Sequence, residues 1–212
     1  MHVIYSGGDD LFLVGAWDEI IEFAVDLYRA FSRFTGGRLH FSAGIGLFRA
    51  AYPISDMARR VGELEDAAKA LPGKDGVALF GIEQEAGQKP RVQAYHWRDF
   101  IEGVCGEKLT FLRKHIAFGR MDARRITMGK SALYRLLALL AADGASISLA
   151  RFVYALARLE PRASEGAEKN AAYRKVRETF YRWYRKEKDR HELLTAVQLV
   201  IYGLREKGEK AG

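Results

Sequence analysis

The chain has 212 residues, 49% of them hydrophobic and 29% charged, a mix that allows one or two folded domains and excludes wholesale disorder or a collagen-like repeat. One cysteine, Cys105, excludes an internal disulfide framework and a cysteine-rich zinc site, and fits a reducing, cytoplasmic setting. The net charge of +7 is uneven: residues 1–90 hold 9 Lys and Arg against 13 Asp and Glu, and residues 91–212 hold 25 against 14.

The chain opens on two short apolar runs, His2-Val3-Ile4-Tyr5-Ser6 and Leu11-Phe12-Leu13-Val14, joined by Gly7-Gly8-Asp9-Asp10. Two such runs around a Gly/Asp turn predict a β-hairpin. No basic n-region or apolar h-region precedes them, so no signal peptide is expected. Ile20, Phe23, Ala24, Leu27, Phe31 and Phe34 recur at helical spacing and predict a helix over 18–34, stopped by Gly36-Gly37. Residues 39–48 read as a strand, with Gly44 and Gly46 marking a close backbone approach or a bulge. A second helix fits 53–71, with Ile54, Val61, Leu64, Ala68 and Leu71 on one face. A loop over 72–76 and a strand over 77–80 complete an order β-β-α-β-α-β. The polar stretch 82–94 reads as a boundary, which divides the chain into 1–90 and 91–212.

Beyond it the period is almost entirely helical. Leu133, Leu136, Leu137 and Leu140 form one stripe, and Leu149, Phe152, Val153, Leu156 and Leu159 another. Tyr173, Val176, Phe180 and Tyr184 make a third, and Leu193, Val197, Val200, Ile201 and Leu204 a fourth. These are read as the core of a helical bundle. The apolar stretch 133–159 is interrupted by Arg135, Asp143 and Arg151, so no membrane span is expected. Met128-Gly129-Lys130-Ser131 has the end of a phosphate-binding loop, but Arg124 stands where that loop needs glycine and no strand is predicted before it. It reads as a helix start.

Chemistry concentrates in Ser6-Gly7-Gly8-Asp9-Asp10. Glycines turn the backbone sharply and remove side chains that would block a ligand. Adjacent carboxylates repel unless something neutralises them, and a hard divalent cation, Mg²⁺ or Mn²⁺, does so through carboxylates and substrate phosphates. An ordinary Asp-rich turn is the alternative, since both residue types are common in turns.

With the order of elements around it, this hairpin resembles the polymerase and nucleotide-cyclase palm from its second strand onward. Tyr5-Ser6-Gly7-Gly8-Asp9-Asp10-Leu11-Phe12-Leu13-Val14-Gly15, followed by Trp17-Asp18, is similar to the signature segment of the large subunit of type III CRISPR–Cas effector complexes, the Csm/Cmr signature protein. Phe41-Ser42-Ala43-Gly44-Ile45, Ala68-Lys69 and the segment from Lys74 to Gly81 resemble later parts of its palm. The basic helical tail resembles its C-terminal helical domain. Diguanylate cyclases are the second resemblance, but their signature continues with an acidic residue and Phe where this chain has Leu11. A non-catalytic scaffold that keeps the motif and bridges RNA-bound subunits is the third reading.

The first resemblance implies an α+β fold: a partial ferredoxin-like palm followed by an all-α helical domain. It implies that ATP is joined 3′–5′ into cyclic oligoadenylate on target RNA binding. Asp9 and Asp10 would hold the metal ions, Gly7 and Gly8 would admit the nucleotide, and Ser6 would lie near it. Lys69 would meet triphosphate charge, or be a solvated cation favoured at a helix C-terminus. The family's palm starts with a central strand and helices before the hairpin, so a second polypeptide is expected to supply that upstream half. Implied partners are the other Csm/Cmr subunits, the small subunit among them, with guide RNA and target RNA.

The basic second part offers contacts to RNA or to an acidic subunit face. Arg120, Arg124 and Arg125 fall in an expected loop. Arg174, Arg177, Arg182 and Arg185 lie in a segment where arginine alternates with Tyr173, Tyr181, Trp183 and Tyr184. Tyr181 and Arg182 are the expected surface members, and a solvated basic helix is the plain alternative.

Overall fold

The structure, a computed structural model, describes residues 1–82, 91–118, 124–142, 146–162 and 166–209. Strands β1 (His2–Gly7) and β2 (Asp10–Val14) form the predicted antiparallel hairpin, with Gly7 opposite Asp10. Helix α1 (Trp17–Phe34) carries Asp18 and Glu19 in its first turn and Arg33 in its last, matching the helix dipole at both ends. Gly36 and Gly37 stop it at φ +60° and +70°. Phe34, expected on its apolar face, is exposed, as is Ile54 at the start of the second helix.

Strand β3 (Ala43–Ile45) is shorter than the run expected over 39–48. It leads into α2 (Ile54–Lys69), a 3-10 turn at Pro72–Lys74, and β4 (Gly76–Ile82). Strands β3 and β4 are parallel, as a βαβ crossover requires. The sheet then continues where a boundary was expected. Strand β5 (Arg91–His96) pairs antiparallel with β4, and Val92 and Ala94 pack on the Leu64, Ala68 and Ala78 core. Their period-two alternation is the strand signal that the surrounding polar residues obscure; residues 83–90 lie outside the described residues.

The chain divides into compact units Met1–Ile101 and Glu102–Gly212, so β5 belongs to the first unit and the division falls beyond the expected 90/91. The first unit holds two separate sheets. Strands β1 and β2 form one ladder and β3-β4-β5 the other, with no hydrogen-bonded strand between them among the described residues.

A π-helical run (Asp99–Leu109) leads to α3 (Thr110–His115). Strands β6 (Ile116–Phe118) and β7 (Ile126–Met128) then make a short parallel ladder, so the second unit is mostly helical rather than all-α. Ile116, Ala117, Ile126 and Met128 are buried, and the β-branched residues favour extended backbone. This ladder also places a strand ahead of Gly129, where none was expected. Helix α4 (Lys130–Ala141) starts as read from the sequence, followed by α5 (Ser146–Ala157), α6 (Ala167–Tyr184) and α7 (Glu187–Glu209).

The second core is aromatic at its centre. Phe152 stacks on Tyr184 at 4.3 Å, and Phe111 meets Trp183 edge-on at 5.1 Å. Leu133, Leu136 and Leu140 from α4 and Leu193, Leu194 and Val197 from α7 are buried. Val153, expected in the α5 stripe, is exposed instead. Among the described residues no helix is long and apolar enough to cross a membrane.

Candidate functional site

The hairpin tip is built by its glycines. Gly7 pairs with Asp10, which leaves Gly8 and Asp9 as a two-residue loop. Gly8 has φ +62°, a left-handed value that glycine adopts without strain, and glycine first in such a loop suits the twist of the strands. At Gly7 a Cβ would sit 2.7 Å from the Tyr5 hydroxyl, so a side chain there would displace the exposed Tyr5 ring. Ser6, Asp9 and Asp10 are exposed, and among the described residues neither carboxylate has a hydrogen bond or ion pair.

Asp9 and Asp10 therefore offer free carboxylates on a glycine turn. Two carboxylates suit Mg²⁺, which binds through one or two of them and takes its other ligands from water and substrate phosphate. The residues present thus fit a nucleotide-bound divalent cation.

Lys69 ends α2. Its ammonium lies 2.8 Å from the Glu65 carboxylate. That hydrogen bond and the Glu65 charge raise its pKa, with smaller contributions of the same sign from Asp66 and Asp10. Lys69 is thus held by Glu65 in the structure, and the Asp10 charge is the smallest of these contributions.

The expected arginines divide into two groups, both in the second unit. Arg124 lies 3.8 Å from Glu168, and Arg125 donates to the Arg113 carbonyl at 3.4 Å, so both have partners within the chain. Arg120 lies outside the described residues. Arg174, Arg177, Arg182 and Arg185 are exposed along α6 and its C-cap.

One constellation has no counterpart in the sequence reading. Lys108 is fully buried, yet its ammonium meets Glu107, Asp189 at 2.8 Å and Glu192 at 3.1 Å, and lies 4.7 Å from the Trp183 ring. Gly103 admits this packing, since a Cβ there would sit 2.5 Å from a Glu192 carboxylate oxygen. Burial opposes the charge on Lys108, but hydrogen bonds to Asp189, Glu107 and Glu192 outweigh it and raise its pKa. Burial raises the pKa of Glu192, and Lys108 only partly offsets it, because three carboxylates share one lysine. The three carboxylates lie close enough for a metal ion, but Lys108 already neutralises part of their charge, so the cluster reads as a structural ion-pair hub.

A hairpin with a Gly-Gly-Asp-Asp tip, a βαβ unit behind it and a basic, mostly helical unit beyond define the later part of a palm protein. The description "Cas10/Cmr2, second palm domain" matches residues 1–78, and "CRISPR RNA silencing complex Cmr2 subunit, second helical domain" matches 98–206. The chain belongs to the Cas10 family, the large subunits of type III CRISPR effectors. It is 42% identical over 207 residues to "CRISPR system single-strand-specific deoxyribonuclease Cas10/Csm1 (subtype III-A)" of Mycobacterium tuberculosis, covering 97% of this chain and 23% of that protein. Proteins of the same description from Enterococcus italicus and Streptococcus thermophilus are 37% and 36% identical, over 96% and 97% of this chain and 23% and 25% of theirs. The chain thus spans about a quarter of the length of these curated relatives.

Proposed function

We propose that the hairpin tip is the metal-binding half of a nucleotidyltransferase site that makes cyclic oligoadenylate from ATP when target RNA is bound. The 3′-hydroxyl oxygen of one ribose bonds to the α-phosphorus of another ATP. The bond from that phosphorus to the bridging oxygen breaks, pyrophosphate leaves, and the hydroxyl proton passes to solvent. The observation that carries this reading is the pair of exposed carboxylates, Asp9 and Asp10, which among the described residues make no hydrogen bond or ion pair, at a tip that glycines keep open. When bound, Mg²⁺ or Mn²⁺ supplies charge neutralisation at the triphosphate and a lowered pKa for the attacking hydroxyl. This chain's own part is to hold that ion on Asp9 and Asp10, to leave room for the nucleotide at Gly7 and Gly8, and to set Ser6 beside it. Lys69, exchanging Glu65 for phosphate oxygen, adds a cation near Asp10.

The site works in an assembly. The edges of β2 and β3, which no described strand pairs, suit a further palm strand between them. The upstream palm half would supply it. The other Csm/Cmr subunits, including the small subunit, with guide and target RNA, complete the effector.

The test is Asp9→Ala with Asp10→Ala in the purified, RNA-loaded complex, with oligoadenylate read by chromatography from ATP and GTP offered separately. The expected result is product from ATP alone, lost by roughly a hundredfold or more in the variant, with assembly unchanged on gel filtration. Undiminished ATP conversion would overturn the assignment. Conversion of GTP instead would make the site a guanylate cyclase.

A further inference from the structure

The face that helix α6 turns outward is mostly basic, with Glu178 exposed within it. Arg174, Arg177, Tyr181 and Arg185 step by three, four and four residues, so they share one stripe. Lys175 and Arg182, seven apart, lie beside it, and all six side chains are exposed. Between Tyr173 and Arg185 the one acidic residue is Glu178. The opposite face, with Tyr173, Val176, Phe180, Trp183 and Tyr184, is buried, so packing fixes which side the arginines present.

A further observation gives this face a character beyond charge. Arg185 lies 5.9 Å from the centre of the Tyr181 ring, and Tyr181 keeps 41% of its surface exposed. An exposed ring beside a guanidinium offers a stacking platform next to a phosphate fork. On its buried side α6 meets Phe111 of α3, whose ring lies 5.1 Å from that of Trp183. In the last turn of α3, burial, and then the charges of Lys175 and Lys114, push the His115 pKa below its ordinary value.

We propose that this outer face of α6 binds a single-stranded nucleic acid, with Arg174, Lys175, Arg177, Arg182 and Arg185 on the phosphates and a base stacked on Tyr181. Arg174 and Arg185 are about 16 Å apart along the helix axis, enough to follow several phosphates. A duplex keeps its bases stacked inside, so an exposed tyrosine among arginines favours a single strand. An acidic protein surface would satisfy the charges and leave Tyr181 unused. The inference is independent of the hairpin tip, since it concerns other residues in the other unit.

The test measures fluorescence anisotropy of labelled 15-nucleotide oligouridylate and oligothymidylate with the full chain over a salt series. Variants are Arg174→Gln with Arg177→Gln and Arg185→Gln, and, separately, Tyr181→Ala and Tyr181→Phe. Saturable binding is expected, with a log–log salt slope that falls by about 2 in the triple variant, roughly 0.7 for each lost phosphate contact. Tyr181→Ala should weaken binding about tenfold at every salt concentration, and Tyr181→Phe should restore it, because the ring alone stacks. Equal binding of both oligomers assigns the site to the shared phosphate and base chemistry; preference for one assigns the source within the same proposal. Absence of saturable binding, an unchanged slope in a triple variant that melts like the parent, or indifference to Tyr181→Ala would each overturn it. Equal competition by polyglutamate together with that indifference would assign the face to an acidic protein.

Discussion

Asp9 and Asp10 and Lys108 show two opposite settings for charge in one chain. The carboxylates at the tip are exposed and, among the described residues, make no hydrogen bond or ion pair, so they remain available to a ligand. Lys108 is buried among three carboxylates and under Trp183, and is available to nothing. Lys108→Met should cost about 3–5 kcal/mol, because the methylene volume is kept while three carboxylates lose their counterion; urea unfolding of the full chain measures it. Glu192 gives a sharper test. Its folded pKa is raised, mainly by burial. Between the ordinary glutamate value, about 4.3, and that raised value the folded state binds more protons than the unfolded one. Stability attributable to Glu192 therefore falls as pH rises through this window. Glu192→Gln keeps an acceptor for Lys108 without the titration, so melting temperatures taken across the acid range should lose that part of their slope. An unchanged slope would place the ionisation elsewhere. The tip was legible in the sequence because its members are contiguous. The hub was not, because Glu107, Lys108, Asp189 and Glu192 meet only after α7 folds back, and a lone Lys in a sequence is by default a surface residue.

At the scale of elements, helices were read more easily than strands. Helices α1, α2 and α4 to α7 show the 3.6-residue period over three or more turns, whereas β3, β6 and β7 are three residues each, too short for alternation to register. Strand β5 was hidden because only Val92, Ala94 and Tyr95 break a polar run. The glycines of β3 were informative where its length was not. A Cβ on Gly44 would overlap the Val61 carbonyl and lie 2.7 Å from the Glu65 amide nitrogen, so β3 lies directly on the α2 backbone. Both neighbours are main chain of one helix and have no rotamer to change. Gly44→Ala should therefore force α2 off the sheet and cost about 1–3 kcal/mol. Chemical denaturation reads the loss. The same α2 ends at Lys69, so on the proposed function the substitution should also weaken nucleotide binding in the assembled complex while leaving Asp9 and Asp10 intact. An alanine variant as stable as the parent would mean that β3 and α2 are not packed this closely.

At the scale of the whole molecule, the described strands of the first unit form two separate ladders. Among the described residues strands β1 and β2 pair only with each other, and β3 ends its sheet with an edge that no described strand pairs. A two-stranded hairpin is marginal in water, and this one leaves Val3, Ile4, Tyr5 and Leu11 exposed. By contrast Val77, Ala78 and Leu79 in the middle of β4 are fully buried and paired on both sides. The contrast makes a directional prediction about amide hydrogen exchange. In this chain alone, hairpin amides should exchange orders of magnitude faster than those of Val77 to Leu79, because local opening of the hairpin breaks little else. If the proposed upstream palm strand is supplied, on a longer chain or by co-expression, protection should rise in β2 and β3 together, since a strand inserted as proposed would pair with both edges. Protection in β5 and in α4 to α7 should stay where it was. A hairpin that is already as protected as β4 in the isolated chain would mean that the ladder needs no third strand, and protection gained in β2 without β3 would place the added strand outside the gap.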